Sequence, residues 1–325
     1  MNIHPVLRAL GADPALLRNS LETMRRSAAR WRERDEVAGV LAQMEGFAAG
    51  LAIEECPALA ALFRQGDCAA RELALGFVAE TAAALANASL GYVGAPHFAD
   101  GVLSTLLLAR SGNVTLSLVA VDGAGLSEMP APVTVDFSDC EIWSHVLSGT
   151  ARAEQVERIG CDGNGAAFDR RMLRLGPGTV FNRDARRFAL LVHEVEGSLV
   201  SLRLQRRRAA AAPTREYALA DGTMVHQAAG NARDSRSELM MALLGRMERA
   251  DAAPLLAELA REAGAAALRW QALRECLALD TLTGFRTLSA VADTVDDELA
   301  APARALRARL VKTHPRLAEI GPCQA

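Results

Sequence analysis

The chain has 325 residues, half of them hydrophobic, and a formal net charge of −3. These values predict a globular protein with two or three domains and no need of disulfides or structural metal. No apolar run reaches the roughly 18 residues of a spanning helix. The N-terminus lacks a basic start followed by an apolar stretch, so we expect a cytoplasmic protein. The small net charge predicts neither a nucleic-acid partner nor a membrane partner.

The first hundred residues have helical periodicity. Asp13 and Pro14 are placed to begin a helix, and a third helix is predicted over residues 69–86. Two apolar stripes lie in the first two helices: Leu17, Leu21, Met24, Ala28 and Trp31, then Val37, Leu41, Met44, Phe47 and Leu51. The arginines of residues 25–34 alternate with acidic residues, which indicates a solvated helix face. We predict a helical region over residues 1–99.

From about residue 102 the apolar period changes to two, which is typical of strands. Strands are predicted over residues 114–121, 133–137, 142–147, 150–159, 171–175, 188–195 and 198–206. Glu196-Gly197 predicts a tight hairpin between the last two. Short strands separated by glycine and proline favour a sandwich or barrel over residues 100–208.

Residues 214–325 return to helical spacing after an arginine- and alanine-rich connector. Ser235 and Glu238 form a capping-box pattern. Asp251 and Asp280 each precede an apolar helix, and the two helices match at an offset of 29 residues. This weak repeat resembles HEAT-type helix pairs, which stack to bury faces that one pair cannot bury alone.

The β region carries a family resemblance in three short motifs. Trp143–Ala151 is similar to the aromatic-x-x-Val-Leu-x-Gly strand and turn of cysteine-dioxygenase-like cupins. Arg174–Val180 resembles their Leu-x-Pro-Gly-Asp-Val turn, and Val200–Leu204 their final Val-Ser-Leu-His strand. The resemblance implies an α+β protein with a central cupin-like double-stranded β-helix barrel, flanked by N-terminal helices and a C-terminal HEAT-like region.

In that family three histidines hold iron. The resemblance places their equivalents at Phe137, Asp139 and Ala189, and puts Arg203 where the last strand has a histidine. A non-haem iron site needs at least two imidazoles and a carboxylate. Only Asp139 is a ligand type, so the resemblance implies that the metal site is lost.

A relocated site through Glu141, His145 and His193 is the alternative. Strand parity places Asp139, Glu141, Trp143 and His145 on one face, which we expect to point into the barrel together with His193. Both histidines are displaced toward the C-terminal ends of antiparallel strands, which separates them. Each is therefore interpreted as a hydrogen-bonded strand residue.

Two functions from different classes follow. The first is a non-enzymatic, metal-free protein without a cofactor, which binds a protein partner, a second copy or a small anionic ligand. The second is a metal-dependent cupin oxygenase that uses iron on a small thiol or carboxylate. We expect the interior either to be closed by an Asp139–Arg203 contact or to hold an anion on Arg203. The predicted ligand-binding residues are Asp139, Glu141, Trp143, His145, His193 and Arg203.

Overall fold

The structure is a computed structural model that describes residues 15–88, 90–162, 165–208 and 212–320. It is a mixed α/β protein with antiparallel sheets. The chain divides into two compact units. The first comprises residues 1–211 and 215–226, and the second comprises residues 212–214 and 227–325.

The N-terminal helices agree with the predicted spacing. They are α1 (Ala15–Arg32), α2 (Asp35–Ala48), α3 (Pro57–Ala61) and α4 (Ala69–Asn87), with a 3-10 turn at Ile53–Glu55. Two members of the predicted apolar stripes are more exposed than expected, since Leu17 is 37% exposed and Leu51 lies beyond the end of α2. The expected cap at Asp13 lies outside the described residues.

Ten strands are described in the first unit and its boundary with the second. They are β1 (His97–Ala99), β2 (Leu103–Ser111), β3 (Val114–Asp122), β4 (Thr134–Phe137), β5 (Cys140–Asp162), β6 (Gly165–Leu175), β7 (Val180–Asp184), β8 (Phe188–Arg207), β9 (Thr214–Ala218) and β10 (Met224–Ala228). The main sheet has the order β1-β2-β3-β8-β5-β6, and β7 pairs with β5 beside β6. A short helix, α5 (Gly123–Glu128), follows β3.

The predicted hairpin at Glu196-Gly197 is wrong. β8 continues through it as one strand and pairs with β5 along nearly its whole length. The register shifts where both strands carry a glycine in the left-handed region, Gly149 with φ of 85° and Gly197 with φ of 70°. A Cβ on Gly149 would lie 2.2 Å from the Ser198 carbonyl oxygen. The glycines therefore mark a bulge that lets two long paired strands bend together.

The N-terminal helices cover one face of the main sheet. Trp31, Phe47 and Leu59 share a core with Leu116 of β3 and Leu202 of β8. We call this the helix face. Because side chains alternate along a strand, the neighbouring positions point to the opposite face, which we call the inner face.

The start of the predicted C-terminal helical region is wrong. Residues 214–228 form β9 and β10, which join β4 in a small second sheet of order β10-β9-β4. Phe137 and Tyr217 of this sheet share a core with Val156 and Ala189 of the long strands. β9 is only five residues long and its two charged residues are consecutive, so its sequence lacks the apolar alternation that predicts a strand.

The second unit is helical from residue 232. Its helices are α6 (Ala232–Arg246), α7 (Ala253–Arg261), α8 (Ala266–Leu279), α9 (Thr281–Asp293) and α10 (Ala300–Thr313), with 3-10 turns at Ala250–Ala252 and Pro315–Glu319. Asn231 caps α6 in place of the predicted Ser235, and Asp280 caps α9 as predicted. Asp251 pairs with Arg249 and caps no helix. The HEAT-like repeat stays a prediction. No helix among the described residues is long and apolar enough to cross a membrane.

Candidate anion-binding site

Three predicted site residues of β5 lie on the helix face. The Trp143 ring packs edge-on against Phe47 of α2, with 5.3 Å between ring centroids. The His145 Nδ1 atom donates to the Leu62 carbonyl oxygen at 2.8 Å. Glu141 accepts from Arg206 at 2.8 Å. The expectation that these side chains point into a barrel interior is therefore wrong, because the N-terminal helices occupy the face that they share.

Asp139 lies just before β5 in an ion-pair cluster. Its side chain is 8% exposed and accepts from Arg208 at 2.7 Å, with Arg186 at 3.6 Å. The closed arrangement that we predicted, with Asp139 paired to Arg203, is not the one that the structure shows.

His193 belongs to a separate polar group on the other half of the long strands. Its Nε2 atom lies 3.0 Å from Glu154, which also accepts two hydrogen bonds from Arg170 at 2.7 and 2.9 Å. The hydrogen bonds from Arg170 hold the pKa of Glu154 below its usual range. In the β5–β8 register, His145 is opposite Leu202. Glu194, the residue after His193, is opposite Arg152, seven residues further along β5. The structure does not bring His145 and His193 together.

Arg203 is the predicted site residue that lies on the inner face. It is directly opposite Ser117 of β3 on one side and Ser144 of β5 on the other. Directly opposed residues of antiparallel strands place their side chains on the same face. Ser201, two residues earlier on β8, shares that face. All three serines are buried, at 8%, 3% and 9% exposure for Ser117, Ser144 and Ser201.

Arg183 of β7 joins this group from the far side of β5. It is opposite Ile142, two residues before Ser144, so its side chain is on the inner face with Arg203. Its Nη1 atom donates to the Phe188 carbonyl oxygen at 2.8 Å. The two Cα atoms are about 12 Å apart from strand spacing and rise, which is within reach of two arginine side chains that lean toward each other.

The two guanidinium groups are buried, and the charge of Asp136 offsets the desolvation of Arg183 only in part. The Nε atoms of Arg183 and Arg203 are buried without a hydrogen-bond partner. In the described part of the chain neither side chain forms an ion pair with a carboxylate. Desolvation, with repulsion from Arg183, lowers the pKa of Arg203 to about 10, and desolvation also lowers the pKa of Arg183. Two guanidiniums that repel each other therefore share the inner face with three buried hydroxyl groups.

Such a group is suited to hold an oxyanion. A guanidinium donates two parallel hydrogen bonds to a carboxylate or phosphate, and serine hydroxyls donate to the remaining oxygens. An anion would neutralise two cations whose charge is otherwise costly in a desolvated setting. We call Ser117, Ser144, Arg183, Ser201 and Arg203 the inner-face arginine site.

The positions where the resemblance expects iron ligands do not fit that metal. Phe137 is buried and stacks on Phe168 at 5.9 Å, and Ala189 is buried in the same core. Asp139 is engaged by arginines, and Arg203 is itself a cation. Within the described residues, no three histidine, cysteine or acidic side chains are grouped as metal ligands would be.

Sequence reasoning found Arg203 and missed its four neighbours. Ser117 lies between two leucines and Ser144 between Trp143 and His145, so each has the sequence context of a solvated position in a half-buried strand. Arg183 lies on β7, a strand that was not predicted. The register that places these side chains beside Arg203 depends on tertiary pairing. The sequence shows only that Ser144 lies on the same strand face as Ile142, because the two residues are two positions apart.

No protein-family model matches the chain, and no curated protein matches it in sequence. Among solved structures, a putative mannose-6-phosphate isomerase from Ralstonia eutropha is similar over 36% of this chain and 94% of its own, with 16% identity and a TM-score of 0.25. The FeII form of HppE is similar over 34% of this chain and 56% of its own, with 14% identity and a TM-score of 0.25. A cupin superfamily protein from Desulfitobacterium hafniense is similar over 34% and 83%, with 16% identity and a TM-score of 0.23. Likenesses this weak establish neither family nor function for this chain.

Proposed function

We propose that this protein is a non-enzymatic, cupin-like binding protein whose inner-face arginine site holds a small anionic ligand through a carboxylate or phosphate group. The observation that carries the proposal is the pair of guanidiniums at Arg183 and Arg203, each with a buried Nε that has no partner. The cupin-like frame and the HEAT-like character of the C-terminal helices belong to the proposal, and both rest on the sequence motifs.

The charge balance favours a ligand with two negative charges. Arg269 of the second unit shows the usual arrangement of a buried arginine, since it pairs with the Asp297 carboxylate at 2.5 Å. Leaving one member of a buried pair alone costs about 3–5 kcal/mol. Among the described residues Arg183 and Arg203 have no such partner, so a bound dianion would supply the missing charge and stabilise the folded protein. Inorganic phosphate and a short dicarboxylate such as malonate carry the required charge.

Isothermal titration calorimetry with phosphate and with malonate tests the proposal, at constant ionic strength set by sodium chloride. We expect saturable binding that is lost in Arg203→Met and Arg183→Met. Arg171→Met is the matched control, because Arg171 is an exposed arginine of the same sheet and its removal should leave binding unchanged.

Absence of saturable binding by both anions, or equal loss in all three variants, would refute the anion site. Metal analysis of the protein purified without chelators tests the non-enzymatic part of the proposal separately. Near-stoichiometric iron that is lost in a His145→Ala, His193→Ala double variant would favour the oxygenase instead.

A further inference from the structure

The second unit has a groove that is independent of the inner-face arginine site. It encloses about 1110 Å³ between α8 and α10, and is closed at one end by the 3-10 turn at Pro315–Glu319. Its floor is apolar and is formed by Trp270, Leu277, Leu306, Leu310 and Leu317. The groove therefore exposes hydrophobic surface that the core of this unit leaves uncovered.

The rim of the groove is basic. Arg274 of α8, Arg309 of α10 and Arg316 of the 3-10 turn line it, together with His314. All three arginines are exposed, and in the described part of the unit none of them forms an ion pair. The residues that line the groove include no aspartate or glutamate. Its charge is thus of one sign, in a chain whose net charge is −3.

The dimensions fit a helical segment. On α8 the lining residues Trp270, Arg274, Leu277 and Ala278 recur at helical spacing, so one continuous face borders the groove. At 1.5 Å per residue that face is about 12 Å long. About two turns of a partner helix would match it, with apolar side chains at i, i+3/i+4 and i+7 on the leucine floor.

We propose that this groove is a docking site for an acidic amphipathic helix of a partner protein. The leucine floor takes the apolar anchors of that helix, and Arg274, Arg309 and Arg316 contact its carboxylates. Charge complementarity selects an acidic partner. Single-stranded nucleic acid is disfavoured because the floor is mostly aliphatic, and sequence-tolerant base binding needs several stacking aromatic rings.

Fluorescence anisotropy with designed 14-residue peptides tests this on the full chain. The main probe has leucine at the anchor positions and glutamate elsewhere. A second peptide replaces each leucine by serine, and a third replaces each glutamate by lysine. We expect the leucine–glutamate peptide to bind at least tenfold more tightly than either of the others.

The matched variants are Arg309→Glu with Arg316→Glu in the groove, and Arg246→Glu at the exposed end of α6. The groove variant should weaken the leucine–glutamate peptide at least tenfold, and the α6 variant should leave its affinity within twofold. All three substituted positions are exposed, and circular dichroism checks that each variant keeps its helical content.

Three results would overturn the proposal. Equal binding of the serine–glutamate peptide or of a single-stranded oligonucleotide would make the groove a general polyanion site. Equal loss of affinity in the α6 variant would place peptide binding elsewhere. Self-association in sedimentation velocity that disappears in the groove variant would assign the groove to a second copy of this chain.

Discussion

Two arginines on one strand have opposite surroundings. Arg206 of β8 is on the helix face, where it donates to Glu141 at 2.8 Å and to the Leu51 carbonyl oxygen at 2.9 Å. Its guanidinium also stacks on the Phe47 ring at 4.0 Å. Arg203, three residues earlier, is on the inner face with a buried, unpartnered Nε and with Arg183 nearby.

The two arginines differ in whether the chain itself supplies partners for their charge. The contacts of Arg206 join the sheet to the N-terminal helices, so its charge is satisfied within the chain. The charge of Arg203 is unsatisfied in the described part of the chain, and a residue of that kind lowers stability unless a ligand completes it. One face of the sheet is therefore an interface with the N-terminal helices, and the other carries the two arginines to which we assign anion binding.

Trp143→Ala should have the largest effect on the helix face. The side chain packs on Phe47 and borders Arg206, so its removal leaves a cavity between the sheet and α2. We expect a loss of about 3 kcal/mol in the free energy of unfolding, measured by urea denaturation. Phe98→Ala is the control, because Phe98 is 55% exposed at the sheet edge. Equal losses in the two variants would mean that the helix face is not a packed interface.

Arg206→Ala should cost about 2–3 kcal/mol, since it leaves Glu141 with a weaker partner and removes the contact with the Phe47 ring. Arg171→Ala on the exposed part of β6 should change stability by less than about 0.5 kcal/mol. If Arg206→Ala were as mild as the control, Arg206 would not join the two elements, and the comparison with Arg203 would fail.

The helices and most strands could be predicted from periodicity, since a stripe such as Trp31 with Met24 follows from side-chain spacing alone. The face that each strand residue occupies could not. Trp143 and His145 share a face as parity requires, but parity does not say which face the N-terminal helices cover. Glu196-Gly197 has the composition of a hairpin and forms a bulge, because the partner strand bends at Gly149.

Of the candidate site, the sequence predicted Arg203 and the need for a negative charge beside it. The resemblance singled out Arg203, and the cost of a buried cation implied either a carboxylate or a bound anion. Arg183 could not be foreseen, because it reaches the inner face through the pairing of β7 with β5, which involves residues about 40 positions apart. The expected partner, Asp139, precedes β5 and is bound by Arg208.

Arg203→Met should raise stability, in contrast to Arg206→Ala. The lowering of the Arg203 pKa to about 10 corresponds to a cost on the order of 3 kcal/mol for its charge, at about 1.4 kcal/mol per pKa unit. Methionine fills similar space without charge, so we expect a gain of about 1–2 kcal/mol in urea denaturation without added anions. The gain should shrink when phosphate is present, because phosphate stabilises the parent alone. A loss of stability in both conditions would show that the Arg203 charge is already compensated.

Ser144→Ala should have the smallest effect on stability, and it tests whether the inner face acts as a binding site rather than a tolerated defect. Ser144 is opposite Arg203 and 3% exposed, and alanine keeps the strand and nearly the same volume. The free energy of unfolding should change by less than about 0.5–1 kcal/mol. A hydroxyl that donates to a bound oxyanion contributes about 0.5–1.5 kcal/mol, so the dissociation constant for phosphate or malonate should rise roughly two- to tenfold in calorimetry. Ser104→Ala, at an exposed position of β2, should leave both quantities unchanged. Unchanged anion affinity in Ser144→Ala would confine binding to the two guanidiniums and remove the serines from the site.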